Sequence, residues 1–261
     1  MNVGLIGAGH IARALAEGWS RQDVPGPPSL VFFDVDAAKA RELAAATGGA
    51  AAATAAELVA EADLVIVAVR PQHVEGVLRD IGAALGERPV VSVAAGVTLA
   101  RLQAALPAGT RVARVMPNVA AALGLGVFML VPGTLGPGVV EVGGLFALAG
   151  DVVEVDEALF DAATAVAGCM PGIIAYLVEA FAAAGVAHGL AEDVAVQLAI
   201  SGVHGAAAIV AREGDPSAVV TAVATPGGMT AAAVETLEER ELALTVNEAV
   251  AAAIARAKEL A

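Results

Sequence analysis

Cysteine and basic side chains are scarce in this chain of 261 residues. Its single cysteine, Cys169, excludes a disulfide framework and is typical of a protein of the reducing cytoplasm. Lys and Arg number 14 against 28 Asp and Glu, so the formal net charge is -14. A nucleic acid is not expected as a partner, because binding its phosphates requires a basic face.

Charge is missing from one long stretch, and 58% of the residues are hydrophobic. Residues 115–140 carry no charge, but Pro117, Gly124, Pro132 and Pro137 divide them into pieces too short to cross a bilayer as helices. The first residues lack the basic side chain that a secretory signal carries. We therefore expect a cytoplasmic protein with a buried sheet and close subunit contacts, and no membrane partner.

The first motif is a glycine turn, Gly7-Ala8-Gly9-His10-Ile11-Ala12, between the apolar run 1–6 and a helical pattern. Unpaired N–H groups at a helix N-terminus attract a diphosphate, and glycines let the backbone approach it closely. Gly7 suits the tight turn, and Gly9 allows the backbone to approach the diphosphate closely. Ala12 is small enough for the helix to pack closely on the strand. The context predicts a dinucleotide site, and the alternative is an ordinary glycine-rich turn between a strand and a helix.

An acidic residue follows the next apolar run, since Ser29–Phe33 predicts a strand and Asp34 comes directly after it. A carboxylate there accepts hydrogen bonds from both ribose hydroxyls and repels a 2′-phosphate. The sequence therefore favours NADH over NADPH. The alternative is that Asp34 or Asp36 only caps the helix that starts near Ala37.

Strand-like and helix-like segments alternate up to about residue 155. Predicted strands continue at 63–69, 90–93 and 111–115, with edge pieces at 126–131 and 151–155, and helices are predicted at 57–61, 73–85 and 99–106. Apolar strands alternating with helices predict a parallel, doubly wound sheet. The rest is helical, at 157–166, 173–185, 191–212, 218–223 and 230–260, with a break near Glu239. We divide the chain into a dinucleotide-binding domain, 1–155, and a helical dimerisation and substrate domain, 156–261.

Five short motifs, in this order and spacing, resemble the pyrroline-5-carboxylate reductase family, and the resemblance covers nearly the whole chain. They are Gly7-Ala8-Gly9-His10-Ile11, Ala68-Val69-Arg70-Pro71-Gln72, Ser92-Val93-Ala94-Ala95-Gly96-Val97, Arg114-Val115-Met116-Pro117-Asn118 and Thr225-Pro226-Gly227-Gly228-Met229-Thr230. The resemblance implies an α/β fold with an N-terminal Rossmann-type doubly wound sheet, followed by an all-α C-terminal dimerisation domain. It implies reduction of a cyclic imino acid to proline by NADH or NADPH, in a homodimer or a larger homo-oligomer.

The glycine turn and Asp34, together with the motifs that carry the resemblance, predict which residues bind the cofactor. They are Gly7, Ala8, Gly9, His10, Ile11, Asp34, Ala68, Val69, Arg70, Pro71, Ala94, Ala95, Gly96 and Asn118.

The last motif precedes an alanine-rich helical segment, so its N–H groups are expected at a helix N-terminus, where a small carboxylate can bind. Two glycines leave room for the substrate there. The resemblance implies that Thr230 is catalytic and hydrogen-bonds the ring nitrogen. It implies a substrate site formed by Thr225, Pro226, Gly227, Gly228, Met229 and Thr230. The alternative is an ordinary loop with Thr230 as the helix N-cap.

Neither a Ser-His-Asp set nor the spacing of metal ligands is evident, and the histidines are scattered, at His10, His73, His188 and His204. Hydride transfer to a C=N bond requires neither, because its acceleration comes mainly from holding the two reacting carbons together. The sequence therefore predicts no metal site.

The chain departs from the family pattern at Ala167-Gly168-Cys169-Met170-Pro171-Gly172-Ile173, where the family usually has Ser-Gly-Ser-Gly-Pro-Ala-Tyr. The loss of two hydroxyls and an aromatic ring leaves open a reductase for a different cyclic imine. A β-hydroxyacid dehydrogenase would need a lysine early in the helical domain, whereas the only lysines are Lys39 and Lys258. A non-catalytic dinucleotide-binding regulator also remains an alternative.

Overall fold

A computed structural model describes residues 1–260. Eight strands form one sheet in the order β3-β2-β1-β4-β5-β6-β7-β8. The strands are β1 (Asn2–Ile6), β2 (Ser29–Phe33), β3 (Ala50–Ala51), β4 (Leu64–Val67), β5 (Val90–Ser92), β6 (Val112–Met116), β7 (Gly126–Val131) and β8 (Gly150–Glu154). The first six pair in parallel, β7 runs antiparallel to β6, and β8 is parallel to β7. The predicted α/β class with a doubly wound sheet is confirmed, but the sheet is not wholly parallel as predicted, because β7 pairs with β6 in the antiparallel direction.

Twelve α-helices accompany these strands within residues 1–260. They are α1 (His10–Trp19), α2 (Ala37–Thr47), α3 (Ala55–Glu61), α4 (Pro71–Leu85), α5 (Leu99–Ala105), α6 (Val139–Ala147), α7 (Phe160–Ala163), α8 (Met170–Ala187), α9 (Glu192–Glu213), α10 (Pro216–Val223), α11 (Met229–Glu239) and α12 (Leu242–Leu260). The predicted break near Glu239 lies between α11 and α12, where Glu241 has a positive φ of 53°.

Both faces of the sheet are covered by helices, because the central strands are apolar on both sides. Val65 and Val67 of β4 face one core cluster, and Leu64 and Ile66 face the other. On the second face, the indole N–H of Trp19 donates to the carbonyl of Leu145 at 2.9 Å, which joins α1 to α6. The sheet therefore provides a rigid support for the loops at its edges.

The chain divides into two compact units, the first comprising residues 1–169 and the end of the chain from Ala253, and the second residues 170–252. The second unit includes α8 and α9, which approach closely at small residues. A Cβ placed on Gly185 would lie 3.2 Å from the Cβ of Ala195. The division proposed from the sequence, after residue 155, stays a prediction.

Large apolar side chains of α8 and α9 are exposed in the single chain. Leu198 and Ile200 expose 56% and 54% of their surface, and Tyr176 and Phe181 are exposed as well. By length and composition alone, two helical stretches, 157–187 and 192–213, would suffice to cross a bilayer, and only 11% and 6% of their apolar windows are buried. An exposed apolar surface of this kind marks an interaction site.

Candidate active site

The loops that carry most of the predicted cofactor residues leave the carboxyl ends of neighbouring parallel strands. The N–H of Ala68, after β4, donates to the carbonyl of Ile6 in β1 at 2.8 Å, and the N–H of Val93, after β5, donates to Val67 at 3.1 Å. These contacts bring the loops after β1, β4 and β5 side by side. In doubly wound sheets, ligands bind at the carboxyl ends of the strands, beside the point where the strand order changes direction. In this sheet that point lies between β1 and β4.

The glycine turn after β1 has the geometry that a diphosphate site needs. Gly7 has φ +102°, and a Cβ on it would lie 2.6 Å from the carbonyl oxygen of Ala68, so the position admits only glycine. Gly9 is the N-cap of α1, and no side chain caps that helix. A Cβ on Gly9 would meet nothing within 4 Å. The open space and the uncapped N–H groups of α1 fit the diphosphate of a dinucleotide.

Asp34 lies at the end of β2 and contacts the glycine turn directly. Its Oδ2 accepts a hydrogen bond from the backbone N–H of Ala8 at 2.8 Å, and its Oδ1 accepts one from the backbone N–H of Asp36 at 2.8 Å. Asp36, by contrast, caps α2 by accepting from the N–H of Ala38 at 3.1 Å. Of the two carboxylates, Asp36 is therefore the helix cap. Asp34 is partly exposed, and each of its oxygens has a lone pair left for a ribose hydroxyl.

The remaining cofactor candidates lie at the same edge. Arg70 is exposed at the N-cap of α4, and Pro71 is the first residue of that helix. Gly96, in the loop after β5, has φ +71°. Asn118 is different, because its buried amide is hydrogen-bonded within the protein, from Nδ2 to the carbonyl of Ala167 at 3.2 Å and from the N–H of Val127 to Oδ1 at 3.3 Å. That amide joins β7 to the segment before α8, and a cofactor role for Asn118 stays a prediction.

The motif at residues 225–230 forms a turn that leads into α11. The N–H of Gly228 donates to the carbonyl of Thr225 at 2.9 Å, and Gly228 is the N-cap. Thr230 is the second residue of α11, so the alternative that Thr230 is the N-cap is wrong. No side chain caps α11, which leaves its first N–H groups open to an anion. Thr225 and Thr230 are exposed, and within residues 1–260 neither hydroxyl is hydrogen-bonded.

The predicted cofactor residues thus meet in the first unit, and the predicted substrate residues form one turn in the second unit. That these two groups face each other across one crevice stays a prediction. Within residues 1–260, no group of three or more His, Cys, Asp or Glu is placed to hold a metal ion.

Sequence reasoning missed an ion pair beside the loop after β5. The buried guanidinium of Arg114, in β6, lies 2.6 Å from the carboxylate of Glu157 and 4.1 Å above the ring of Phe160. The same carboxylate oxygen accepts the N–H of Leu99 at 2.7 Å. An arginine within the otherwise apolar run 112–116 was the available signal, because a buried charge requires a partner.

Known proteins resemble both halves of the chain. Residues 157–260 match the family model described as pyrroline-5-carboxylate reductase dimerisation, and residues 2–96 match the one described as NADP oxidoreductase, coenzyme F420-dependent. The pyrroline-5-carboxylate reductase of Arabidopsis thaliana is 36% identical over 99% of this chain and 95% of its own length. That of Mycobacterium leprae is 37% identical over 99% of this chain and 96% of its own length.

The fold also has a solved counterpart. The crystal structure of a Plasmodium falciparum pyrroline carboxylate reductase with NADP bound matches 100% of this chain and 98% of its own chain, at 25% identity and a TM-score of 0.88.

Proposed function

The chain belongs to the pyrroline-5-carboxylate reductase family, and we propose that it reduces the C=N bond of pyrroline-5-carboxylate with NADH or NADPH to give proline. The single observation that carries this proposal is the 36% identity to a reductase of that name over 99% of this chain. That match includes both the glycine turn after β1 and the turn before α11.

The chemistry divides between cofactor and protein. Reduced nicotinamide, when bound, would supply a hydride to the carbon of the C=N bond and become oxidised, and the ring nitrogen would carry a proton taken from solvent. The first turn of α1 and Asp34 hold the dinucleotide, while the open N–H groups at the start of α11 hold the substrate carboxylate. The Thr230 hydroxyl hydrogen-bonds the ring nitrogen and stabilises the added proton. Most of the acceleration comes from orienting the two reacting carbons in a crevice with little water.

NADH is the preferred cofactor in this proposal. Asp34 places a carboxylate at the end of β2, where a 2′-phosphate would be repelled. Two cations of α1 and α2 lie beside carboxylates of their own, since Arg13 lies 2.6 Å from Glu42, and Lys39 lies 3.8 Å from Asp36.

A second copy of the chain completes the enzyme in this proposal. The match of residues 157–260 to a dimerisation model and the exposed apolar side chains of α8 and α9 support a homodimer or a larger homo-oligomer. The turn before α11 then comes from the partner subunit and faces the glycine turn across a shared crevice. Met229 in that turn is 93% exposed in the single chain, as expected of a segment that another subunit covers. The enzyme is cytoplasmic in this proposal.

One assay tests the activity and separates the alternatives. The purified protein is mixed with NADH and either pyrroline-5-carboxylate or its six-membered analogue, and the loss of nicotinamide absorbance is followed. Turnover of pyrroline-5-carboxylate supports the proposal. Turnover of the six-membered imine alone would reassign the substrate, in line with the apolar segment 167–173. Binding of NADH without turnover of either imine would instead favour a regulatory protein.

A further inference from the structure

One carboxylate oxygen of Glu157 receives hydrogen bonds from two separate elements. Its Oε1 accepts from the backbone N–H of Leu99 at 2.7 Å and from Nη1 of Arg114 at 2.6 Å. Leu99 is the first residue of α5, and Arg114 lies in β6, where it pairs in register with Ser92 of β5. Glu157 therefore joins the start of α5 to the strand next to β5.

The position of Glu157 is fixed by the burial of Arg114. The Arg114 side chain is only 4% exposed, against 34% for Glu157, and its Nε has no hydrogen-bond partner within residues 1–260. A guanidinium in such a place needs a counter-charge, because burying an unpaired charge is strongly unfavourable. The stacking of Arg114 on the ring of Phe160 fixes its orientation. Glu157 is thus a rigid anchor for whatever else it binds.

Glu157 also holds the end of the loop at residues 94–98, which connects β5 to α5. The beginning of that loop is held by the sheet, through the N–H of Val93 on Val67. Its end is held by the bond from Leu99 to Glu157. The loop carries Ala94, Ala95 and Gly96, and it lies beyond β4 from the glycine turn after β1. A dinucleotide with its diphosphate on that turn would reach this loop with its nicotinamide end.

We infer that Glu157 is a positioning residue for the reaction. Its carboxylate, fixed by Arg114, holds the N-terminus of α5 and so sets the loop 94–98 against the nicotinamide end of the cofactor. The inference rests on the proposed function, since it assumes that a dinucleotide binds at this edge. Small displacements of a positioning contact have large effects on rate, because the reacting atoms must stay aligned.

The backbone of α5 allows a test at Leu99 rather than at the ion pair. Proline is favoured at the first position of a helix, and Thr98 before it already has φ −74° and ψ 157°, as proline requires of its neighbour. Leu99→Pro deletes the N–H that Glu157 accepts. Leu99→Ala keeps that N–H and also loses the leucine side chain, so it is the matched control.

The measurements compare NADH with ADP-ribose, which lacks the nicotinamide. Relative to Leu99→Ala, we expect Leu99→Pro to lower kcat and the affinity for NADH by about tenfold each, and to leave ADP-ribose affinity within about twofold. In the protein without ligand, hydrogen exchange of the amides at 95–98 should be faster in Leu99→Pro. Equal behaviour of the two variants, or an equal loss of affinity for both ligands, would overturn the inference.

Variants of Glu157 provide a second test. Glu157→Gln keeps an acceptor for Leu99 and should retain more of the NADH affinity and kcat than Glu157→Ala does. Glu154→Ala, which removes an exposed carboxylate of β8, should match the unmodified protein. If Glu157→Ala does not fold, the pair at Leu99 still decides. A lack of turnover in the unmodified protein would refute the proposed activity, whereas the comparison of NADH with ADP-ribose would still test the role of Glu157.

Discussion

The backbone N–H of Ala8 donates a 2.8 Å hydrogen bond to Oδ2 of Asp34. This bond joins the glycine turn after β1, where a diphosphate would bind, to the carboxylate after β2, where a ribose would bind. Asp34 therefore has two effects that can be separated by substitution. In the proposed function its charge disfavours NADPH, and its oxygen supports the turn.

Asp34→Ser should raise the use of NADPH relative to NADH by about tenfold, or about 1.4 kcal/mol, because the repulsion of the 2′-phosphate is removed. Asp34→Asn should shift the preference in the same direction while keeping an oxygen for the N–H of Ala8. The measurement is kcat/KM for the two cofactors at fixed imine concentration.

The control for Asp34 is Asp63, which makes the same kind of bond at the amino end of the sheet. Its Oδ2 accepts the N–H of Asn2 at 2.7 Å. Asp63→Ser changes the net charge equally and should leave the cofactor preference unaltered. An unchanged preference in Asp34→Ser would refute the assignment of Asp34 to the ribose.

Thr230→Ala should lower kcat with saturating imine by about 10- to 100-fold, because it removes the hydroxyl that hydrogen-bonds the ring nitrogen in the proposed function. The affinity for NADH, measured by fluorescence titration, should stay unchanged. Thr236→Ala is the matched control on the same helix, where the hydroxyl only donates to the carbonyl of Ala232 at 2.9 Å. Equal losses of turnover and of NADH binding in Thr230→Ala would contradict a role limited to the substrate.

Alanine substitution in the first turn should destabilise the fold strongly at Gly7 and very little at Gly9. Gly7→Ala should lower the free energy of unfolding by about 3 kcal/mol, because φ is +102° and the added Cβ would lie 2.6 Å from the carbonyl oxygen of Ala68. Gly9→Ala should change it by less than about 1 kcal/mol, since its Cβ enters open space.

Gly9→Ala should fold stably and yet bind the nucleotide poorly. In Gly9→Ala the new methyl group occupies the space assigned to the diphosphate, so the affinity for NADH should fall about tenfold or more. Denaturant unfolding and NADH titration of the same samples check both effects. Unaltered NADH affinity in Gly9→Ala would show that the diphosphate does not lie against this residue.

Much of the sheet could be predicted because its strands are nearly continuous apolar runs, such as Leu64–Val67, separated by helical patterns. The direction of β7 could not, because it depends on pairing with β6, where Arg114 lies opposite Val131. Helix α6 was missed because Gly143 and Gly144 weaken its helical pattern. Its burial of Phe146 against Trp19 compensates for that low propensity.

The candidate site was predicted where a motif fixes the backbone and missed where a side chain finds a distant partner. The glycine turn follows from local geometry alone. The different roles of Asp34 and Asp36 do not, because the sequence offers two carboxylates after one strand and only the contact with Ala8 separates them. The hydrogen bond between Leu99 and Glu157 joins residues 58 positions apart, so short sequence motifs could not predict it.

Assembly can be tested on α9, whose Leu198 and Ile200 are exposed in the single chain. Leu198→Glu should convert the proposed oligomer to monomers, because a charge buried in an apolar interface is strongly unfavourable. Light scattering measures the mass. Activity should fall with it, because the turn before α11 comes from the partner subunit in the proposed enzyme, while NADH binding to the first unit should persist. Val140→Glu, at an exposed position of α6, controls for the added charge and should keep both mass and activity. A Leu198→Glu monomer with full activity would show that each chain forms its own complete site.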